Sequence, residues 1–267
     1  GRSSPLHYAI PEGITAISAG GQPALQYPSG GRIAVDTWVS NLWELANGKA
    51  LPEIQELSQD PPDLVRAGLA CLVEAGLLSR GEHPSPTGLL QPAAPVSGGL
   101  VSVVIVAYEG TTWLKDCLPS LAAQTYSSIE TIIYDNASPS HEMRTWVTEA
   151  FPQVRYLRGE KPISFASANN LAIQHAQGEF LLLLNQDVRL DPSSVAELVR
   201  TAKAYPDCGA VAAKLRFWWA PHFLNGLGNV VRDHSWGMDL GFGSLDLGQF
   251  DRLERLPSAC FAAALIP

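Results

Sequence analysis

The hydrophobic pattern of this chain changes character near residue 100. Before that point, apolar residues recur at the three- and four-residue spacing of one helix face. After it, unbroken apolar runs such as VSVVIVA and FLLLL alternate with helical stripes. In the first part, ALQYPSGGRIAVD predicts two short strands around Pro28-Ser29-Gly30-Gly31. Three helices follow. The first starts at Asp36, a residue suited to capping. It places Val39, Leu42, Trp43 and Ala46 on one face and ends at Asn47-Gly48. The second covers about 52–58, with Pro52 in its first turn. The third starts near Pro62 and aligns Val65, Leu69, Leu72, Val73 and Gly76. Residues 81–99 are rich in Pro, Gly and Ser and have linker composition. The expected division is a domain at 1–80, a linker at 81–99 and a second domain at 100–267.

In the second domain, strands are predicted at 101–107, 129–134, 154–157 and 180–184. Between them, Trp113, Leu114, Cys117, Leu118 and Leu121 form a helical stripe in which Pro119 predicts a kink or a restart. Further helices are predicted at 144–151, at 167–177 closed by Gly178, and from Asp191-Pro192 onward. Strand–helix alternation implies an α/β fold with a mainly parallel sheet covered on both faces. The run Phe180 to Leu184 suits a strand buried on both sides, and it delivers Asn185-Gln186-Asp187 to the carboxyl edge of the sheet. The first strand ends at Tyr108-Glu109-Gly110 and the second at Asp135-Asn136-Ala137-Ser138. These polar ends converge on one edge. A carboxylate there suits a hard divalent cation shared with a diphosphate. Taken alone, Asp187 also fits a solvated strand-end turn.

Composition narrows the function. The 267 residues are 46% hydrophobic and 16% charged, enough apolar content for a real core. The net charge is −8, split as −4 on each side of residue 100, which argues against nucleic acid as a partner. The third helix carries Arg66 against Asp63 and Glu74, too little positive charge for DNA. Cys71, Cys117, Cys208 and Cys260 have no metal-type spacing and read as reduced thiols of a cytosolic protein. Cys208 with His222 and His234 fits no zinc pattern. No apolar run reaches the roughly 20 residues needed to span a bilayer, and no signal peptide is evident. The expected location is cytoplasmic, with a peripheral place at the inner membrane face left open. Gly1 and Pro267 read as cut ends, as in a piece of something longer.

Two resemblances extend this reading. LWELANGKALPEIQEL and LVRAGLACLVEAGLL, with Trp43, Asn47-Gly48, Ile54 and Ala75-Gly76-Leu77-Leu78, resemble the PqqD-like family over about residues 20–80. That implies a small winged-helix-like α+β domain and a possible peptide partner. A packing domain without separate activity fits the same pattern. VSVVIVAYEG, CLPSLAAQTY, IETIIYDNAS, FASANNLAIQHAQGEFLLLLNQD and GFGSLDLGQFDRLERLPSACFAAALI resemble family 2 inverting glycosyltransferases of the GT-A fold, from about residue 100 onward. The late stretch is most similar to bacterial members acting on cell-envelope polysaccharide, rhamnosyltransferases among them.

The second resemblance implies a UDP- or dTDP-sugar donor, a Mg2+ or Mn2+ cofactor, and a carbohydrate or lipid-linked saccharide acceptor. Tyr108 would stack on the base, and Asp135 would accept its N3–H. Asn169 and Asn170 would meet ribose, diphosphate or sugar. Asn185, where many relatives have Asp, would meet hydroxyls, and Asp187 would hold the metal. Local roles compete with these: an Asx-turn for Asp135, and helix capping for the Asn pair. Glu109 departs from the Asn frequent at its position and receives no role. The family's general base is expected in an acidic motif beyond Pro267, since Asp239, Asp246 and Asp251 do not match it. Trp218, Trp219 and Trp236 suit either an acceptor sugar face or packing. The alternatives are a non-catalytic nucleotide-sugar or peptide-binding module, or a peptide-modifying transferase whose N-terminal domain holds a leader segment.

Overall fold

The computed structural model describes residues 6–80, 98–232, 236–251 and 255–267. The expected linker therefore lies, apart from Gly98 and Gly99, outside the described residues. The chain divides into two compact units, 1–88 with 214–257, and 89–213 with 258–267.

The first unit opens with β1 (Tyr8–Ala9), β2 (Thr15–Ala19), β3 (Gln22–Gln26) and β4 (Arg32–Ala34), followed by α1 (Thr37–Ala46), α2 (Leu51–Ser58), α3 (Pro62–Glu74) and β5 (Ser79–Arg80). Strands β2, β3 and β4 form an antiparallel meander, so the expected strand pair has a third member. Asp36 caps α1 as expected: its Oδ1 accepts the Val39 N–H at 2.8 Å. Val39, Leu42, Trp43, Ala46, Ile54, Val65, Leu69 and Leu72 are buried, as the helical spacing requires. Gly76 takes φ +70° just past α3, a conformation that favours glycine.

In the second unit come β6 (Val101–Ala107), α4 (Thr111–Ala122), β7 (Ile129–Asp135), α5 (Glu142–Ala150), β8 (Arg155–Arg158), α6 (Phe165–Ile173), β9 (Phe180–Leu184), α7 (Ser194–Ala204) and β10 (Val211–Ala212). The chain then passes through β11 (Leu215–Phe217), β12 (Ala220–Gly226), β13 (Asn229–Arg232) and β14 (Trp236–Asp239) of the first unit, and returns as β15 (Ala263–Ile266). The central sheet has the order β10-β15-β9-β6-β7-β8. Strands β9, β6, β7 and β8 are mutually parallel, and β15 runs antiparallel to both its neighbours. This is the expected α/β class with a mainly parallel sheet. On one face Ala168 and Ala172 of α6 pack with Val104, Ile132 and Leu183. Val103, Ile105 and Leu182, which alternation turns to the other face, are fully buried too.

Three expected boundaries move. The helix expected at 167–177 is α6, which starts earlier because Ser164 Oγ accepts the Ser167 N–H at 3.1 Å, and which stops before Gly178. Gly178 instead allows a close approach: a Cβ there would lie 2.6 Å from Leu100 O and Ser102 Oγ. Pro119 does not restart α4, which is one helix. Helix α7 begins after Ser193 rather than at Asp191-Pro192.

The larger difference concerns residues 214–257, which the sequence reading assigns to the 100–267 domain. Phe217, Ala220, Phe223 and Leu245 join one apolar core with Leu25, Ile33, Val35, Leu42, Trp43 and Leu69. Polar contacts add direction: Asp36 N–H donates to Gly243 O at 2.9 Å, and Ser244 Oγ donates to Asp36 Oδ2 at 2.7 Å. His222 lies 3.5 Å from Glu74 on α3. Gly243, at φ +76°, has no room for a side chain, since a Cβ would fall 2.9 Å from the Val35 carbonyl carbon. An excursion of the second domain thus completes the core of the first unit.

This core predicts that Phe223→Ala lowers the stability of the first unit by about 3–5 kcal/mol, as a fully buried aromatic should. Asp36→Ala should cost about 1–2 kcal/mol through the lost cap alone. Urea unfolding followed by tryptophan fluorescence measures both. A loss below 1 kcal/mol for Phe223→Ala would mean that residues 214–257 do not share this core.

Candidate active site

The chain crosses from β8 at one edge of the sheet back past β6 to β9 by way of α6, so strand order reverses between β6 and β9. Ligands of open α/β sheets bind at the carboxyl ends of the strands flanking such a reversal. The β6–β9 ladder pairs Val101–Val104 with Phe180–Leu183 and goes no further. Beyond it lies a cavity of about 290 Å3 lined by Val106, Ala107, Tyr108, Phe165, Asn185, Gln186 and Asp187. Three residues expected at the site, Tyr108, Asn185 and Asp187, meet there.

Tyr108 is 45% exposed and Asp187 is exposed as well. Asn185 is half-buried. Its backbone N–H donates to Ala262 O at 2.8 Å, continuing the β9–β15 pairing up to the cavity. Asp187 also acts on buried Cys117: burial first, then the Asp187 carboxylate, push that thiol up to about 12, so it stays neutral.

Two expected site residues face elsewhere, and both are corrections. Asp135 is fully buried at the end of β7. Its Oδ1 accepts the Ser138 N–H at 2.8 Å, and its Oδ2 accepts from Tyr156 Oη at 2.8 Å and Arg158 Nη1 at 2.6 Å. Arg158 Nη2 also donates to the Ser138 carbonyl at 2.5 Å. A carboxylate so enclosed is not presented to the N3–H of a base; it anchors its own turn and Arg158. Burial, then the bond to Asp135, push the Tyr156 phenol up, so it remains a donor. Asn169 is 4% exposed, and its Nδ2 donates to Phe165 O at 2.9 Å inside α6. It steadies the first turn of that helix. Asn170 is exposed on α6 but does not line the cavity.

Three residues of the site carried no expectation. Phe165, 47% exposed at the start of α6, faces the same cavity as Tyr108. Gln186 binds the backbone of Tyr108 at 3.0 and 3.3 Å. Asn136 does the same to Ile163, accepting its N–H at 3.0 Å and donating to its carbonyl at 2.9 Å. That clamp fixes the loop from which Ser164 and Phe165 start α6. Asn136 and Gln186 stand at strand ends visible in the sequence, but their partners lie 27 and 78 residues away.

The donor chemistry fits a hard divalent ion. Mg2+ commonly takes one or two carboxylates, with phosphate oxygens and water completing its shell, and exposed Asp187 offers such a carboxylate. Among the described residues no group of three or more His, Cys, Asp or Glu side chains converges on a metal site. His234, of the discounted zinc set, and the side chain of Trp236 lie outside the described residues. Among those residues no helix is long and apolar enough to cross a membrane.

Comparison with known proteins agrees with the topology. Residues 102–233 match the model of Glycosyl transferase family 2, so the chain contains a domain of that family. The O-antigen biosynthesis protein RfbC of Myxococcus xanthus is 33% identical over 169 residues, covering 57% of this chain and 13% of RfbC. Glycosyltransferase GlyG of Streptococcus pneumoniae is 32% identical over 92 residues, covering 33% of this chain and 30% of GlyG. The chain thus spans well under a third of the length of RfbC. The solved mannosyltransferase PcManGT from Pyrobaculum calidifontis, in complex with GDP-Man and Mn2+, is 20% identical with a TM-score of 0.42, over 57% of this chain and 45% of that one. A likeness at that level carries no functional argument.

The two strand-end acids should separate on mutation. Asp135→Ala strands Arg158 beside a buried turn and should cost about 3–5 kcal/mol. Asp187→Ala, at an exposed position, should stay within about 0.5 kcal/mol of the parent. Denaturant unfolding of the two variants checks this, and equal losses would contradict the assignment.

Proposed function

We propose that this chain is the donor-binding part of a metal-dependent, inverting glycosyltransferase that uses a uridine or thymidine diphosphate sugar. The observation that carries the proposal is the meeting of an exposed aromatic ring, Tyr108, and an exposed carboxylate, Asp187, on one strand-end cavity of a family 2 domain. Similarity to RfbC, a protein named for O-antigen biosynthesis, supports cell-envelope polysaccharide of the rhamnosyltransferase type as the product class. The acceptor is then a carbohydrate or a lipid-linked saccharide, met at the inner membrane face.

In this reading Tyr108 stacks on the pyrimidine, a contact worth about 1–3 kcal/mol. Phe165, across the cavity, closes off water. Asn185 meets ribose or sugar hydroxyls, and Asn170 does so from α6. Asp187 and the diphosphate oxygens hold Mg2+ or Mn2+. Bound there, the ion neutralises the charge that grows on the departing nucleoside diphosphate. Asp135 and Asn169 serve as internal anchors. Inversion requires a base for the acceptor hydroxyl, and none of the residues named here is given that role. The apolar-walled pocket of about 280 Å3 between α1 and α2, lined by Trp38, Leu42, Leu45 and Leu57, favours a second reading. There the first unit is a PqqD-like winged-helix domain that holds a peptide for modification.

Calorimetric titration of UDP and dTDP, with and without Mn2+, tests the proposal. At least one nucleotide should bind in a Mn2+-dependent manner, and Asp187→Ala should weaken that binding about tenfold or more while leaving the fold intact. No binding of either nucleotide to the folded chain would contradict the donor-site reading.

A further inference from the structure

Tyr108 has a half-exposed ring on a backbone fixed from two sides. Gln186 Oε1 accepts the Tyr108 N–H at 3.0 Å, and Gln186 Nε2 donates to the Tyr108 carbonyl at 3.3 Å. The next N–H, that of Glu109, donates to Ser138 Oγ at 2.9 Å. Ser138 is itself held by Asp135. Glu109 sits at φ +46°, a left-handed conformation that a non-glycine residue keeps only where its surroundings impose it. Gly110 makes room for the arrangement, because a Cβ there would lie 2.1 Å from Gln186 Oε1.

The topology explains why a side chain has this task. Strands β6 and β9 are hydrogen-bonded through Val104 and Leu183 and then separate, which opens the cavity and leaves the backbone of Tyr108 without its neighbouring strand. The primary amide of Gln186 presents one acceptor and one donor, as a paired backbone residue would, and so adds a rung to the ladder across the gap. No other neutral side chain of that reach except its own type offers both. A Glu would keep the acceptor but set a carboxylate oxygen against the Tyr108 carbonyl.

We infer that Gln186 is a positioning residue: it holds the Tyr108 ring at the angle that receives the base of the nucleotide donor. The inference rests on the donor-site reading above. It makes the middle residue of Asn185-Gln186-Asp187 act on base affinity, while its neighbour Asp187 acts on the diphosphate through the metal.

The test uses the full chain and its Gln186→Ala, Gln186→Glu, Tyr108→Ala and doubly substituted Gln186→Ala/Tyr108→Ala forms. Amide hydrogen exchange reads the clamp without any ligand. In Gln186→Ala the Tyr108 N–H should exchange about tenfold faster or more, while the Glu109 N–H, held by Ser138, changes little. UDP titration with Mn2+ reads its consequence. Tyr108→Ala should weaken UDP about tenfold, Gln186→Ala about fivefold, and the double variant no more than Tyr108→Ala alone, because both changes remove one contact. Gln186→Glu, which keeps the size of the side chain, should fall between the parent and Gln186→Ala. Additive losses in the cycle, or unchanged Tyr108 exchange in both Gln186 variants, would overturn the inference. Absence of UDP binding by the parent chain would remove the donor reading and this role with it, whatever the exchange data show.

Discussion

Strand β6 is buried along nearly its whole length and pairs in parallel with β7 on one side and β9 on the other. A strand so enclosed can satisfy its backbone only through its neighbours, and its side chains must be apolar on both faces. Polar residues are therefore driven to its ends. Because the three strands run the same way, Tyr108, Asp135 and Asn185-Gln186-Asp187 emerge at one edge of the sheet. The reversal of strand order between β6 and β9 then lets the strands part and leave a cavity. The site follows from sheet parallelism and burial before any particular chemistry is considered.

What stands at that edge divides into groups facing the cavity and groups supporting them. Asp135 makes the contrast plain. It stands at the same strand-end level as Tyr108 and Asp187, but its oxygens are taken up by Ser138, Tyr156 and Arg158. Through Ser138 it fixes the backbone after Tyr108. Asn136 and Gln186 extend this support, each with a side-chain amide binding both backbone groups of a distant residue. Precise placement of a few exposed groups by buried, satisfied polar neighbours is what a binding site for a small polar ligand requires.

Much of this was legible in the sequence, for identifiable reasons. The FLLLL run and VSVVIVA announced buried parallel strands, and their polar ends located the edge. The direction of individual polar side chains was not legible, because it depends on partners far along the chain. Nothing near Asp135 announces Tyr156 or Arg158, and nothing near Asn169 shows that its amide closes on Phe165 rather than on a ligand. The start of α6 was readable from Ser164 and Ser167 but was placed two residues late. Residues 214–257 were the hardest to assign. Phe217, Phe223 and Leu245 have no local mark that directs them to the core around Leu25 and Trp43, since apolar side chains carry no address and only tertiary packing chooses among cores.

The most direct test of the account is a crystal structure of the full chain grown with UDP and Mn2+, with anomalous scattering recorded for manganese. The account predicts a manganese peak at the Asp187 carboxylate, bridged to the diphosphate, and a uracil ring against Tyr108 with Phe165 across from it. A nucleotide bound away from the ends of β6 and β9, or manganese located without contact to Asp187, would contradict it.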